Sequence, residues 1–362
     1  MKIDIDPVIE QILERALSGK GITKKEAYQL MECAGNDFHA LCVAADILRK
    51  KTIGDYVTFV INRNINFTNI CKGSCKFCNF RDNNGYLLDI DEIVSRAKID
   101  GITEVCIQGG LHPKITLDYY VEMLEKIKEE RPDIHIHAFS PAEVNHMKEL
   151  SGLSLKEVLA TLKEAGLDSM PGTAAEILND KIRERICPEK VSTHEWVRII
   201  KTAHRLKIPT TATIMYGHID SSSDRVDHIF LVKEIQKETK GFTEFVPLTF
   251  MPVNELGITE HVKGATGVED AKLYAVSRIV LNSVIPNLQV SWVKLGKKFA
   301  QLMLLCGVND IGGTLYEENI SKASGSLHGE VMHPEEFVTL IKDIKRIPVQ
   351  RDTLYNTIKK YY

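Results

Sequence analysis

No stretch of this 362-residue chain approaches the roughly 20 consecutive apolar residues that a membrane-spanning helix requires. A cleavable signal is missing from the reading too, because the first residues pattern as an amphipathic helix; a cytoplasmic protein with no membrane partner is expected. There is no large excess of one charge: 46 Lys and Arg against 49 Asp and Glu leave a net charge of −3. That balance argues against a sequence-independent grip on nucleic acid phosphates, since the short basic runs at Arg49–Lys51 and Lys294–Lys298 are offset by acidic residues elsewhere. Small-molecule substrates are expected instead. Low-complexity tracts are absent. So is a disulfide framework: of eight cysteines, three fall between positions 71 and 78, while Cys33, Cys42, Cys106, Cys187 and Cys306 are scattered and read as small buried hydrophobes. Clustered thiols point to ligation or redox work. What is present is an ordinary globular composition, 44% hydrophobic and 26% charged, which suits one large domain with a small extension.

The extension is helical. Asp6 before Pro7 supplies a capping carboxylate and a proline for the first turn, and Val8, Ile9, Ile12, Leu13, Ala16 and Leu17 then recur on one face. Thr23 with Glu26 forms a capping box for a second helix, and Asp37 precedes a third carrying Leu41, Ala44, Ala45 and Leu48. Residues 1–52 therefore read as an N-terminal helical extension and 53–362 as the main domain. In that domain the pattern changes to eight short β-rich runs, at 56–66, 103–109, 134–140, 167–171, 209–216, 243–251, 288–294 and 306–311. Helical stretches intervene, among them one continuous stretch over 142–165 and a last one at 334–344 that closes the set. Regular alternation implies parallel strands with crossover helices, and the length fits an α/β fold of the (β/α)8 TIM-barrel type, with a doubly wound open sheet as the competing topology.

In such a fold the active centre sits on the loops after the strands, and the motifs fall there. Cys71, Cys75 and Cys78 follow the first strand on a single loop. A cubane iron-sulfur cluster usually takes four cysteines, so three with no obvious fourth leave one iron open to a substrate. S-adenosylmethionine (SAM) fits that corner through its amino and carboxylate groups; an electron from the cluster then breaks its sulfonium bond and gives a 5′-deoxyadenosyl radical that abstracts hydrogen. A structural zinc site is the competing reading, but it normally needs a fourth ligand nearby. Paired glycines, Gly109 and Gly110, end the second strand and permit close backbone approach. Ser140-Pro141-Ala142-Glu143 follows the third, where it also reads as a plain helix start. Alternation in the third strand turns His135 and His137 towards the barrel axis, and in the fifth it sets Thr211 and Thr213 on one face. These four, with Asn309 and Asp310, are candidate substrate contacts.

The cysteine loop after a strand, with a glycine pair after the next, resembles the radical SAM superfamily over about residues 50–350. More narrowly, five stretches resemble the FO synthase subunit 2 family, the tyrosine-using half of deazaflavin biosynthesis. They are Asn64-Ile-Asn-Phe-Thr-Asn-Ile-Cys71, Gln108-Gly-Gly-Leu-His-Pro113, His135-Ile-His-Ala-Phe-Ser-Pro-Ala-Glu143, Asp168-Ser-Met-Pro-Gly-Thr-Ala-Ala-Glu176 and Gly313-Thr-Leu-Tyr-Glu-Glu-Asn319. The menaquinone-pathway enzymes aminofutalosine synthase and dehypoxanthine futalosine cyclase share most of these motifs, but tend to carry a glycine run where this chain has Gly172-Thr173-Ala174-Ala175. The resemblance implies a [4Fe-4S] cluster on Cys71, Cys75 and Cys78, with SAM held by Gly109, Gly110, Ser140 and Glu176. It implies a transferase reaction in which the Cα–Cβ bond of L-tyrosine breaks and the 4-hydroxybenzyl fragment joins C5 of 5-amino-6-(D-ribitylamino)uracil, releasing 2-iminoacetate. It also implies an electron donor, and a separate FO synthase subunit 1 for ring closure. A futalosine-pathway enzyme and a non-catalytic iron-sulfur protein are the alternatives.

Overall fold

A computed structural model describes residues 4–252, 262–317, 319–328 and 331–362. The chain opens with helices Pro7–Leu17, Lys24–Glu32 and Gly35–Ile53. Asp6 caps the first by accepting the Val8 N–H at 2.7 Å, and the Thr23–Glu26 box caps the second. The third begins at Gly35, not after Asp37; the Asp37 carboxylate sits in its first turn and accepts the Asp6 N–H at 2.9 Å, tying the first helix to the third. The third helix packs against helix Gly267–Leu281, with Thr52 hydrogen-bonded to Asn282 at 3.1 Å and Asp46 paired with Arg346 at 2.7 Å.

The strands are β1 Tyr56–Val60, β2 Asn62–Ile65, β3 Glu104–Ile107, β4 His135–Ala138, β5 Thr210–Tyr216, β6 Phe242–Thr249, β7 Asp310–Gly313, β8 Ile347–Arg351 and β9 Thr357–Lys360. All but the β8–β9 pair are parallel. The regular ladders form three sheets, β7-β1-β8-β9, β2-β3-β4 and β5-β6, so the described residues do not make the single closed eight-stranded ladder of the expected barrel. Two expected strands are reduced to single parallel bridges. His137↔Ser169 and Met170↔Thr210 stand at 167–171, where Pro171 has no N–H to continue a ladder. Phe245↔Leu288 and Gln289↔Asp310 stand at 288–294, a run cut short by Pro286 before it and by helix Trp292–Leu295 after it. The eighth expected strand starts later, at Asp310, because Gly307 in a positive-φ conformation still belongs to the preceding turn.

The continuous helix expected over 142–165 is two helices, Pro141–Ser151 and Leu155–Glu164. Gly152 adopts the left-handed conformation that ends the first, and Ser154 with Glu157 forms a capping box for the second. After helix Pro334–Asp343 the chain does not stop but adds β8 and β9, a hairpin whose first strand runs parallel to β1. One large apolar core fills the space between strands and helices. A second, small cluster of Leu111, Ala142 and Ala174 packs against Cys71 above the C-terminal ends of the strands.

Candidate iron-sulfur and SAM site

Buried aromatic packing fixes the chain where it leaves β2. Phe67 meets Tyr120 and Phe139 edge to face, at 5.7 and 6.4 Å between ring centroids. Gly109 lies directly against this ring: a Cβ there would come within 2.5 Å of Phe67. At Gly110 it would lie 2.3 Å from the Ile70 carbonyl oxygen and 2.9 Å from Cys71 Cβ. The glycine pair is thus required by the cysteine loop itself. The Lys72 N–H donates to the Leu111 carbonyl at 2.9 Å, while the Leu111 and Gly73 N–H groups donate to Cys71 Sγ at 3.2 and 3.4 Å. Such N–H contacts to a ligating sulfur tune a cluster's potential.

Cys71, Cys75 and Cys78 are unpaired, and all three line one cavity of about 370 Å³. Its wall is mixed. Phe77, Phe80, Met215 and Phe250 bring apolar surface, and Asn66, Gln108, Glu143, Thr173, Glu176, Lys190, Thr213, Gln289 and Ser291 bring polar groups. Two of these keep a buried oxygen with no protein hydrogen bond, Asn66 Oδ1 and Thr173 Oγ1. Asn66 is only 2% exposed, so a polar ligand in the cavity is the natural partner for that oxygen.

The donor set suits an iron-sulfur cluster. Burial pushes the Cys75 thiol up to about 12, so an anionic sulfur there needs nearby positive charge, which a metal supplies. Among the described residues no three His, Cys, Asp or Glu side chains converge on a single ion-sized point. Three thiols around a common cavity suit a cluster in which each sulfur meets a different iron.

Glu176 and Lys190 form a partly buried ion pair at 2.5 Å beside the cysteines, with the Lys190 ammonium 5.1 Å from the centre of the Phe77 ring. Burial would raise the Glu176 carboxyl, but Lys190 more than offsets this and holds it below the usual range. Glu176 itself takes a left-handed φ of 45°, and its carbonyl accepts the Met215 N–H at 2.7 Å, which locks the loop onto β5. Ser140 caps helix Pro141–Ser151 in a full box with Glu143, whose other oxygen accepts the Gly109 N–H at 3.0 Å. Both the helix start and the cavity wall therefore use this segment. Burial raises the Glu143 carboxyl.

The structure thus brings Cys71, Cys75, Cys78, Gly109, Gly110, Ser140, Glu176 and Thr213 to one cavity. The other expected contacts lie outside its wall. His135 and His137 share the Ser169 hydroxyl, each at 2.7 Å. Thr211 Oγ1 accepts the Gly172 N–H at 2.8 Å. Asn309 bonds Arg278 at 2.6 Å, and Asp310 pairs with Arg351 at 2.6 Å. Asn66, Lys190 and Gln289 were not foreseen. Asn66 had a signal, since Asn62, Asn64 and Asn66 repeat every second residue along the first strand; Lys190 and Gln289 had none.

Residues 65–232 match the model of the Radical SAM superfamily, and 239–360 match the CofH/MqnC C-terminal region. Curated relatives named 5-amino-6-(D-ribitylamino)uracil--L-tyrosine 4-hydroxyphenyl transferase align along nearly the whole chain. The protein of Methanococcoides burtonii is 51% identical over 97% of this chain and 99% of its own length. That of Methanocaldococcus jannaschii is 55% identical over 94% and 98%. The chain belongs to this radical SAM transferase family. Among solved structures, methylornithine synthase (PylB) superposes with a TM-score of 0.73 at 17% identity, covering 93% of this chain and 97% of its own. The hydrogenase maturase HydG gives 0.75 at 16%, covering 94% and 76%. Both share the fold of this transferase-family chain. No described helix is long and apolar enough to cross a membrane.

Proposed function

We propose that this chain joins the 4-hydroxybenzyl fragment of L-tyrosine to 5-amino-6-(D-ribitylamino)uracil and releases 2-iminoacetate, a step of deazaflavin biosynthesis. What carries the reading is identity of 50% or more along almost the full length to relatives named for that transfer. The cavity supports it: one space with both polar and apolar side chains in its wall adjoins all three clustered thiols.

In this reading Cys71, Cys75 and Cys78 hold a [4Fe-4S] cluster, and Gly109, Gly110, Ser140 and Glu176 surround SAM. When bound, cluster and SAM together supply the radical that removes a hydrogen atom from tyrosine. The chain's own residues bind, orient and shield. Gly109 and Gly110 let backbone and cysteine loop meet, Phe77, Phe80 and Phe250 keep water away, and Asn66, Thr173 and Thr213 offer hydrogen bonds to the substrates. Glu176 stays anionic beside Lys190, which suits it to accept from ribose hydroxyls.

The strand wall serves as a barrel whose fourth and seventh staves are the bridged segments at 169–170 and 288–289, and residues 1–52 form its helical extension. An electron donor reduces the cluster, and subunit 1 of FO synthase closes the deazaflavin ring. Eight cysteines with no disulfide among the described residues favour the reducing cytoplasm.

Anaerobic enzyme incubated with SAM, a reductant, tyrosine and the diaminouracil is expected to give the coupled adduct by mass spectrometry. Absence of adduct, together with turnover of a futalosine, would overturn the reading in favour of a menaquinone-pathway enzyme.

A further inference from the structure

We propose that Gln289 selects the pyrimidine co-substrate, accepting one of its N–H groups with a carboxamide oxygen whose direction is set from behind the cavity wall. The inference rests on the transferase reading above.

Gln289 lies on the short bridged segment between β6 and β7, and its side chain lines the cavity. Its Nε2 donates to Glu244 Oε2 at 2.8 Å. Glu244 is 6% exposed, and the same oxygen accepts the Tyr355 hydroxyl. Behind it, Arg351 approaches Glu244 at 3.7 Å, stacks over the Tyr355 ring at 4.0 Å, and binds Asp310 with two nitrogens at 2.6 and 3.1 Å.

Burial pushes the Glu244 carboxyl up to about 7 against the pull of Arg351, and above that pH the carboxylate only accepts hydrogen bonds, so the amide nitrogen faces Glu244; the flipped amide would set oxygen against oxygen. The carboxamide oxygen is therefore turned the other way. Gly312 gives it room, since a Cβ at that position would stand 3.1 Å from Gln289 Oε1.

The group offered is thus a fixed, uncharged acceptor. Of the two substrates in the proposed reaction, the uracil presents ring and exocyclic N–H donors on a flat, neutral face. Tyrosine presents an ammonium and a carboxylate, which call for counter-charges, and a phenol. A neutral oriented acceptor matches the several N–H donors of the uracil better than the single phenol O–H of tyrosine. Glu244, Tyr355 and Arg351 are positioning residues, acting through Gln289.

The test compares wild type, Gln289→Ala and Glu244→Gln in reconstituted holoenzyme. It uses steady-state kinetics and calorimetric binding of the diaminouracil. Gln289→Ala should raise KM and Kd for the diaminouracil about tenfold, the effect of one lost neutral hydrogen bond to a buried group. Its kcat and its KM for tyrosine should stay within about twofold of wild type. Glu244→Gln, isosteric and outside the cavity, lets the Gln289 amide turn and should weaken diaminouracil binding by a smaller factor, about threefold. An unchanged diaminouracil Kd in both variants would overturn the inference, and so would a rise in KM shared by tyrosine. A wild-type enzyme that forms no adduct would instead sink the transferase reading, so the two failures are distinct.

Discussion

The two ends of the cavity are built in opposite ways. At the mouth, Cys71, Cys75 and Cys78 sit half-buried on one loop, held by backbone N–H groups and by glycines that let two loops touch. At the far wall, Gln289 is backed from outside the cavity by Glu244, Asp310, Arg351 and Tyr355; the five come from four distant parts of the chain, and buried charge and side-chain hydrogen bonds hold them. The mouth has reactive groups on a loop with little other structural duty. The wall has charges that keep the strands together and orient one amide. Chemistry and architecture are thus largely separable, and substitutions at the two ends should fail differently.

The largest effect belongs to the mouth. Cys75→Ala removes one of three sulfurs, and anaerobically purified protein should lose the brown chromophore and all reductive cleavage of SAM. Its urea unfolding should stay close to that of the metal-free wild type, because Cys75 is a ligand in the proposed cluster and its small side chain is only partly buried against the core. Retained SAM turnover would break the comparison at its root.

At the wall the order of losses should reverse. Arg351 and Asp310 are 3% and 0% exposed at their side chains, so Arg351→Met strands Asp310 and Glu244 without their cation. Breaking such a buried pair costs about 3–5 kcal/mol, whereas removing both partners together is often far milder. Arg351→Met should therefore unfold at clearly lower urea, and Arg351→Met/Asp310→Leu should recover much of the loss. A single variant as stable as wild type would mean that the wall is not held by this pair.

The same contrast explains what the sequence disclosed. The three cysteines stand within eight positions after a β-rich run, and three thiols that close have few uses, so the mouth was legible. Most of the α/β alternation was legible too, because each strand and helix carries its own periodicity. The wall was not. Nothing near Asp310 announces Arg351, and the β8–β9 hairpin that carries Arg351 and leads to Tyr355 follows what reads as the closing helix. Alternation turned His135 and His137 inward, but periodicity gives a face and not a height along the strand; both meet Ser169 away from the cavity wall. Gly109 and Gly110 were legible as glycines permitting close approach, yet the group that approaches is the chain's own Phe67 and Ile70. The split at Gly152 was written in the residues, in a left-handed glycine followed by the Ser154–Glu157 box.

The smallest effect concerns a buried residue outside the cavity. His228 accepts the Leu178 N–H on Nδ1 at 3.1 Å and donates from Nε2 to the Thr213 carbonyl at 3.0 Å, so it joins the Glu176 loop to β5. That arrangement needs the neutral ring, because a proton on Nδ1 would face the Leu178 N–H. Burial pushes its pKa down to about 3. The unfolded chain, with a histidine pKa of about 6.5, then takes up a proton that the folded chain refuses. The stabilising effect of the neutral ring is complete above about pH 6.5 and declines as pH falls from there towards 3. Buried His137 and His204, both pushed down to about 4 by burial, add to the same slope. Glutamine keeps one acceptor and one donor but does not titrate. His228→Gln should therefore lose roughly one proton's share of the stability slope below pH 6.5, at most about 1.4 kcal/mol per pH unit. Urea midpoints measured from pH 7 down to pH 4.5 would check it, and a slope equal to wild type would show that this histidine takes up its proton without unfolding the loop.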